Sequence, residues 1–209
     1  MGIRTSFSPM GTFGKKLPPG YIELEYLEST GTQWIDTGIK PSQFTDLDVE
    51  FAVGNPLVSG GNFFGIDDNI ATNYISKAMT VYIGGDKTIP WYAYGDAEAQ
   101  SLRYTPGSLY SYKIAGNTLT VATGGRTATL TKSSYVLDVT FRLFRANGAA
   151  KDTAYKNQGV RIYMCKMYNS SSIAQYLIPA LDPTGRPCMF DLVTRRPFYN
   201  QGTGEFLYA

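Results

Sequence analysis

"YLESTGTQWIDTGI", Tyr26–Ile39, is the stretch on which the reading of the chain turns. Gly31 and Gly38 bound a short segment of alternating character. Gln33, Ile35 and Thr37 fall on one face of an extended strand, Trp34 and Asp36 on the other. Three readings compete: a catalytic constellation, a ligand platform, and the first edge of a β-sandwich. An Asp two residues before a Gly is suited to fixing a turn by accepting backbone N–H bonds. The segment therefore reads as scaffold.

Working outward, the alternation continues. In "YIELEYLE" Ile22, Leu24 and Tyr26 share one face, and Glu23 and Glu25 the other. In "DLDVEFAV" Leu47, Val49, Phe51 and Val53 oppose Asp46, Asp48, Glu50 and Ala52. "MTVYIGG" sets Met79, Val81 and Ile83 on one side, and "VTFRLF" sets Val139, Phe141 and Leu143 against Thr140 and Arg142. "YSYKIAGNTLTVAT" reads as a hairpin, with Gly116-Asn117 as its two-residue turn. "VRIYMCKMY", "IAQYLIPAL", "CMFDLV" and "EFLYA" supply further strands. One helical turn, Ala97–Leu102, is the sole helix candidate. About ten to fourteen short strands at regular spacing predict an all-β, antiparallel two-sheet β-sandwich. Residues 1–20, rich in Gly, Ser, Pro and Lys and ending in "LPPG", read as a short extended N-terminal arm; residues 21–209 form the sandwich domain.

Composition removes several chemistries. The chain has 209 residues, which suits a single sandwich, and no histidine. Without histidine there is no Ser-His-Asp or Cys-His catalysis, no His-ligated zinc and no imidazole acid–base work. The two cysteines, Cys165 and Cys188, form no CxxC pair; a single bridge is open to them, but two buried free thiols fit better. A net charge of +2 offers little counterion release, which argues against nucleic acid. No apolar run approaches the length of a membrane span, and the N-terminus lacks an apolar stretch of signal-peptide length. The expectation is a soluble protein made in a cytoplasm, with no membrane partner and no cofactor.

Four stretches are candidates for chemistry. Asp46, Asp48 and Glu50 alternate along one strand, as acids do in jelly-roll glycosidases. Retaining hydrolysis needs two carboxyls roughly 5–5.5 Å apart, and same-face positions on a strand lie about 7 Å apart at Cα, so reach is no obstacle. The enzyme pattern, however, is Glu-x-Asp-x-x-Glu on a bulged strand, and the spacing here lacks the extra residue. Solvated acids opposite a core face are the simpler reading, and no catalytic residue is assigned. Asp67, Asp68 and Asn69, with Asn73, are oxygen donors for calcium, but the EF-hand spacing is missing and Asp-Asp-Asn is ordinary turn chemistry. "IPWYAYGD" offers Trp91, Tyr92 and Tyr94 as a stacking platform for a glycan, with Asp96 or Arg103 bonding hydroxyls; the alternative is a strand crossing the sandwich with Trp91 in the core. In the arm, Phe7, Met10 and Phe13 are spaced apolar residues that would order on a partner.

Three segments together resemble a family of concanavalin A-like, laminin G-like jelly-roll modules of phage structural proteins and gut-bacterial surface proteins. They are "LPPGYIELEYLESTGTQWIDTGIKP" (Leu17–Pro41), "VRIYMCKMYN", and "YLIPALDPTGRPCMFDLVTRRPFYNQGTGEFLYA", ending at Ala209. The middle, Asn55–Lys132, departs most from the pattern. The resemblance implies a sandwich in which the first and last segments lie side by side, and no catalytic acid pair. A spaced-apolar arm joined by Pro-Pro to such a lectin-like domain, without catalytic residues, leads to the expectation of a non-catalytic virion-associated module: the arm docks to a phage capsid or tail, and the outer face of the sandwich binds host or mucosal glycans weakly or serves only as decoration. On a particle such modules would act as homo-oligomers. The alternatives are a jelly-roll glycoside hydrolase using Asp46, Asp48 and Glu50, and a bacterial cell-surface adhesin.

Overall fold

The structure, a computed structural model, describes residues 17–42, 44–54, 61–68, 77–83, 90–95, 97–100, 102–103, 105–131, 139–147 and 157–209. Among the described residues there is no helix and there are eighteen strand segments. In chain order these are β1 (Ile22–Glu23), β2 (Leu27–Gly31), β3 (Ile35–Asp36), β4 (Thr45–Val53), β5 (Asn62–Asp68) and β6 (Lys77–Ile83). Then come β7 (Pro90–Gly95), β8 (Ala97–Gln100), β9 (Leu109–Ala115), β10 (Thr118–Thr123), β11 (Arg126–Thr131) and β12 (Arg142–Leu143). The last are β13 (Ala146–Asn147), β14 (Asn157–Asn169), β15 (Ser172–Leu181), β16 (Pro187–Asp191), β17 (Arg196–Tyr199) and β18 (Leu207–Tyr208).

Two sheets form. The larger runs β11-β10-β9-β4-β14-β15-β16-β17, with β1, β2 and β18 attached; the smaller runs β3-β12-β5-β6-β7-β8, with β13 beside β5. Pairing is antiparallel except between β13 and β5. The architecture is a β-sandwich, as the alternation predicts. β9 and β10 are joined by Gly116-Asn117, and Gly116 has φ 56°, the positive value that the first position of a II′ turn requires.

Side chains that alternate inward meet between the sheets. Leu47, Val49, Phe51 and Val53 of β4 are buried against Phe64 and Ile66 of β5 and Met79 and Val81 of β6. Phe51 meets Phe64 edge-on at 5.3 Å and stacks on Tyr110 at 5.4 Å, and Phe64 meets Tyr112 edge-on at 5.3 Å. Such ring pairs add packing energy beyond the area they bury. Tyrosine hydroxyls then tie the sheets together. Tyr112 of β9 donates to the Ala93 carbonyl of β7 (2.8 Å), and Tyr94 of β7 donates to the Gly116 carbonyl (2.6 Å).

Two expectations are corrected. "YIELEYLE" is not one strand. β1 pairs with the end of β15 (Ile22 opposite Leu181), whereas β2 pairs with the start of β14 (Leu27 opposite Ile162). Residues 24–26 cross between the two ladders: Leu24 N donates to the Pro179 carbonyl at 3.0 Å, and Glu25 N to that of Ala209. Ile22 is consequently 60% exposed rather than core. The expected helical turn at Ala97–Leu102 is instead strand β8 over Ala97–Gln100, because the ladder of β7 offers it four paired positions.

β15 and β16 are covered on both faces. Leu177 and Met189 belong to the inter-sheet core, while Ala180, Cys188 and Phe190 form a second cluster with Leu17, Tyr21, Leu192 and Tyr199. The Tyr21 ring lies 4.8 Å from that of Phe190. The "LPPG" joint thus begins on the folded body: Leu17 packs against it and Tyr21 N donates to the Pro18 carbonyl. Cys165 and Cys188 are free and buried, one in each cluster.

The opening stretch joins the two ends of the chain. β18 pairs with β2 (Leu207 opposite Glu28, Tyr208 opposite Leu27), so the first and last segments do lie side by side. Gln33, Ile35 and Thr37 are buried, while Trp34 and Asp36 are half-buried on the other face. The Gln33 carbonyl oxygen accepts from Ser29 Oγ (3.1 Å), Thr30 N (2.8 Å) and Thr32 N (3.3 Å). Its amide nitrogen donates to Thr30 Oγ1 (2.8 Å) and to the Glu205 carbonyl (3.0 Å). Asp36 fixes its turn as expected, accepting from Gly38 N at 2.8 Å, and also accepts from Thr140 Oγ1 at 2.7 Å. Gly202 lies so close to the Thr32 carbonyl that a Cβ there would overlap it. Truncating Gln33 leaves several buried groups of the seam unpaired, each costing about 1–3 kcal/mol. Gln33→Ala is therefore expected to lower unfolding free energy by about 2–4 kcal/mol in denaturant titration; a loss below about 0.5 kcal/mol would contradict this role.

Candidate functional site

The acids of β4 lie on the face of the large sheet opposite the core. Their partners follow from register: Asp48 stands between Lys113 of β9 and Lys166 of β14, and Glu50 between Ser111 and Met164. Asp46 accepts a hydrogen bond from Gly116 N (2.7 Å) and so holds the hairpin turn. Burial pushes the Asp48 carboxyl above its ordinary range, with Lys166 and Lys113 pulling it back. β14 bulges at Tyr163, since Ile162 pairs with Phe51 and Met164 with Glu50. Beside the bulge lies an open groove of about 310 Å³, lined among others by Glu23, Glu25, Glu50, Tyr163, Lys166 and Tyr176. Lys166 Nζ sits 4.6 Å over the Tyr176 ring. Of the three β4 acids, Glu50 alone lines this groove. Asp46 holds the turn and Asp48 stands between the flanking lysines, so the three β4 acids are not brought together around it; the carboxylates beside Glu50 there are those of Glu23 and Glu25.

The other sequence candidates separate. Tyr92 and Tyr94 are 1% and 0% exposed, facing the inter-sheet core, and so cannot offer ring faces to a glycan. Two residues apart on β7, they share one face, and that face is covered by the other sheet. Trp91 is described only through its backbone, opposite Tyr82 in the β6–β7 ladder, and Asp96 lies outside the described residues. Arg103 is exposed, and its carbonyl accepts a long bond from Tyr110 Oη (3.5 Å). Asp67 and Asp68 end β5, with their side chains, and the whole of Asn69, outside the described set. Among the described residues no group of three acidic, Cys or His side chains is placed to hold a metal ion. Phe7, Met10 and Phe13 lie outside the described residues.

A larger groove was not anticipated. It measures about 470 Å³ and lies between the β15–β16 turn and the C-terminal segment, lined among others by Thr184, Arg186, Asn200, Gly202, Glu205 and Tyr208. Its wall is organised by Asp182. One carboxylate oxygen, Oδ1, accepts from Thr184 N (2.8 Å), Thr184 Oγ1 (2.6 Å) and Arg186 N (3.0 Å). The other accepts from Tyr199 Oη (2.8 Å). The Asp182 N–H in turn donates to the Arg186 carbonyl (3.0 Å). The Arg186 guanidinium lies 4.2 Å over the Tyr199 ring. In the sequence, "DPTGRP" showed only a turn; what makes it a wall is Tyr199 arriving from β17. Asp191 plays a similar structural part, accepting from Tyr176 N (2.9 Å), Val193 N (3.0 Å) and Thr194 Oγ1 (2.6 Å).

No protein-family model and no curated protein sequence matches the chain. Among the described residues no helix is long and apolar enough to cross a membrane.

Asp182 has a consequence for pH. The Thr184 hydroxyl, the Arg186 N–H and the Tyr199 hydroxyl hold its carboxyl well below the usual carboxylate range. A depressed folded value means stability that is complete above the unfolded pKa of about 3.9 and lost as pH falls toward the folded value. Asp182→Asn should therefore be less stable than the parent at pH 7, with the gap narrowing below about pH 4. Parallel stability curves from pH 7 down to about pH 2 would show that the carboxylate charge does not matter.

Proposed function

We propose that the protein is a non-catalytic recognition module of the concanavalin A-like jelly-roll kind. It is carried on a virion as capsid decoration, head fibre or tail component and binds host or mucosal glycans weakly. The observation carrying this reading is the meeting of the three resembling segments, from opposite ends of the chain, in one seam. β2 lies between β14 and β18, and β1 lies on β15. The polar residues of those segments, Gln33, Asp36, Asp182 and Asp191, are engaged in hydrogen bonds that hold the fold. That use is structural rather than chemical. The arm leaves from Leu17, at the second core cluster, so a partner gripping Phe7, Met10 and Phe13 would hold the body close to its own surface. Weak sites gain from multiple copies on one particle, since avidity multiplies affinities that are individually small.

Deleting residues 1–16 is expected to abolish co-sedimentation with particles, or capture by head and tail proteins of the neighbouring genes, while the sandwich stays folded by circular dichroism. Unchanged association would remove the docking role of the arm.

A second reading, glycoside hydrolysis by Asp46, Asp48 and Glu50, is favoured by one observation: the raised Asp48 carboxyl two residues from Glu50. A general acid needs such a shift. The recognition reading expects no reducing-sugar release on a broad polysaccharide panel from either the parent or Glu50→Gln. Turnover by the parent that vanishes in Glu50→Gln would instead establish the hydrolase.

A further inference from the structure

The groove between the β15–β16 turn and the C-terminal segment carries a feature that the fold does not need. Most of its polar groups are already bonded. Asn200 Oδ1 accepts from Trp34 N (3.2 Å) and Gly202 N (2.8 Å), and Asn200 Nδ2 donates to the Gly204 carbonyl (2.8 Å). Thr184 is bonded to Asp182. Arg186 differs. Its backbone is fixed at both N–H and carbonyl by Asp182, and its guanidinium rests on the Tyr199 ring, itself fixed through its hydroxyl to the same carboxylate. No acidic side chain pairs with that guanidinium among the described residues, and it remains exposed. An arginine oriented by stacking, with its fork of donors unspent, is suited to bidentate capture of a carboxylate. The groove also holds Glu205, a hydrogen-bond acceptor, and Tyr208, whose side chain is on the surface with 46% exposure. A cation, an acceptor and a ring together match a sugar that has a carboxylate, hydroxyls and an apolar ring face.

The geometry points to this groove as a binding site for acidic sugars, uronic or sialic, with Arg186 holding the carboxylate, Glu205 accepting from hydroxyls and Tyr208 stacking on the ring. This rests on the glycan-binding part of the proposed function and names its ligand class and place. The site is distinct from the Glu50 groove, whose three glutamates against Lys166 disfavour an anionic ligand.

The test is titration of the ¹⁵N-labelled full chain with an oligogalacturonide and with sialyllactose, beside neutral maltotriose, neutral lactose and sodium sulfate. The acidic sugars are expected to move the amides of Gly185, Gly202 and Gly204 saturably, the neutral sugars much less. Arg186→Gln should weaken the acidic sugars at least tenfold, and Arg186→Lys should fall between, because it keeps the charge and loses the fork. Tyr208→Ala should weaken acidic and neutral sugars alike. Unshifted amides elsewhere in the variants confirm that each is folded. Sulfate acting as strongly as the sugars would reduce the groove to a simple anion site and overturn the proposal. So would neutral sugars binding equally well, or acidic sugars moving the amides around Lys113 and Lys166; in both cases a glycan-binding module would survive with a different site. Silence with every sugar, alongside arm-dependent particle association, would end the glycan site and leave the virion reading standing.

Discussion

The closure of the chain upon itself is the constraint on which the rest of this structure depends. Residues 27–37 and 196–208 are more than 150 positions apart, yet they share one buried amide, one two-residue ladder and a point where only glycine fits. Gln33 satisfies both halves of its amide within this seam, where an unmet donor or acceptor would carry its full desolvation cost. Because β2 is also hydrogen-bonded to β14, the seam is anchored to the centre of the large sheet. The β4–β14 ladder carries the inter-sheet core and the outward acids, and β15–β16 carries the second cluster. The Glu50 groove forms where the β2 and β15 ladders part along β14, and the Arg186 groove between the β15–β16 turn and the C-terminal segment.

That parting explains the surface. β14 cannot pair along one edge with both β15 and β2 at the same place, so its length is divided between them. Residues 24–26 cross the fork, and the Glu50 groove opens beside them. Arg161 steadies this region, its Nε 2.6 Å from Glu28 Oε2 and its guanidinium 4.6 Å over the Tyr26 ring. The Arg186 groove lies at the far side of β18, where the C-terminal segment turns back on Trp34.

Much of this was legible in the sequence wherever one face of a strand meets the core and the other meets water. Leu47, Val49 and Phe51 against Asp46, Asp48 and Glu50 fall as the alternation requires, and Gly116-Asn117 makes its turn. Asp36 needed only local chemistry. The failures have physical causes too. Ile22–Tyr26 alternates like a strand but changes partners midway, which a period of two cannot reveal. Ala97–Gln100 has helix-forming residues, but a neighbouring ladder decides its state. The sequence offers Trp91, Tyr92 and Tyr94 as one platform, whereas Tyr92 and Tyr94 share a face of β7 that turns into the core, and periodicity does not say which face a second sheet will cover. The apolar runs in "YLIPAL" and "CMF" did hold a signal: strands without alternation are buried on both faces. The Arg186 groove had no such signal, because its parts come from two separate stretches, 184–187 and 200–208.

Native-state hydrogen exchange tests the central claim most directly. If the chain ends lock the sandwich, the amides of Trp34, Gln201 and Gly202 should exchange only through global unfolding, with the same free energy as Val49 and Cys165 in the β4–β14 ladder. Exchange of the seam amides by a low-energy local opening, with the β4–β14 amides still fully protected, would contradict it.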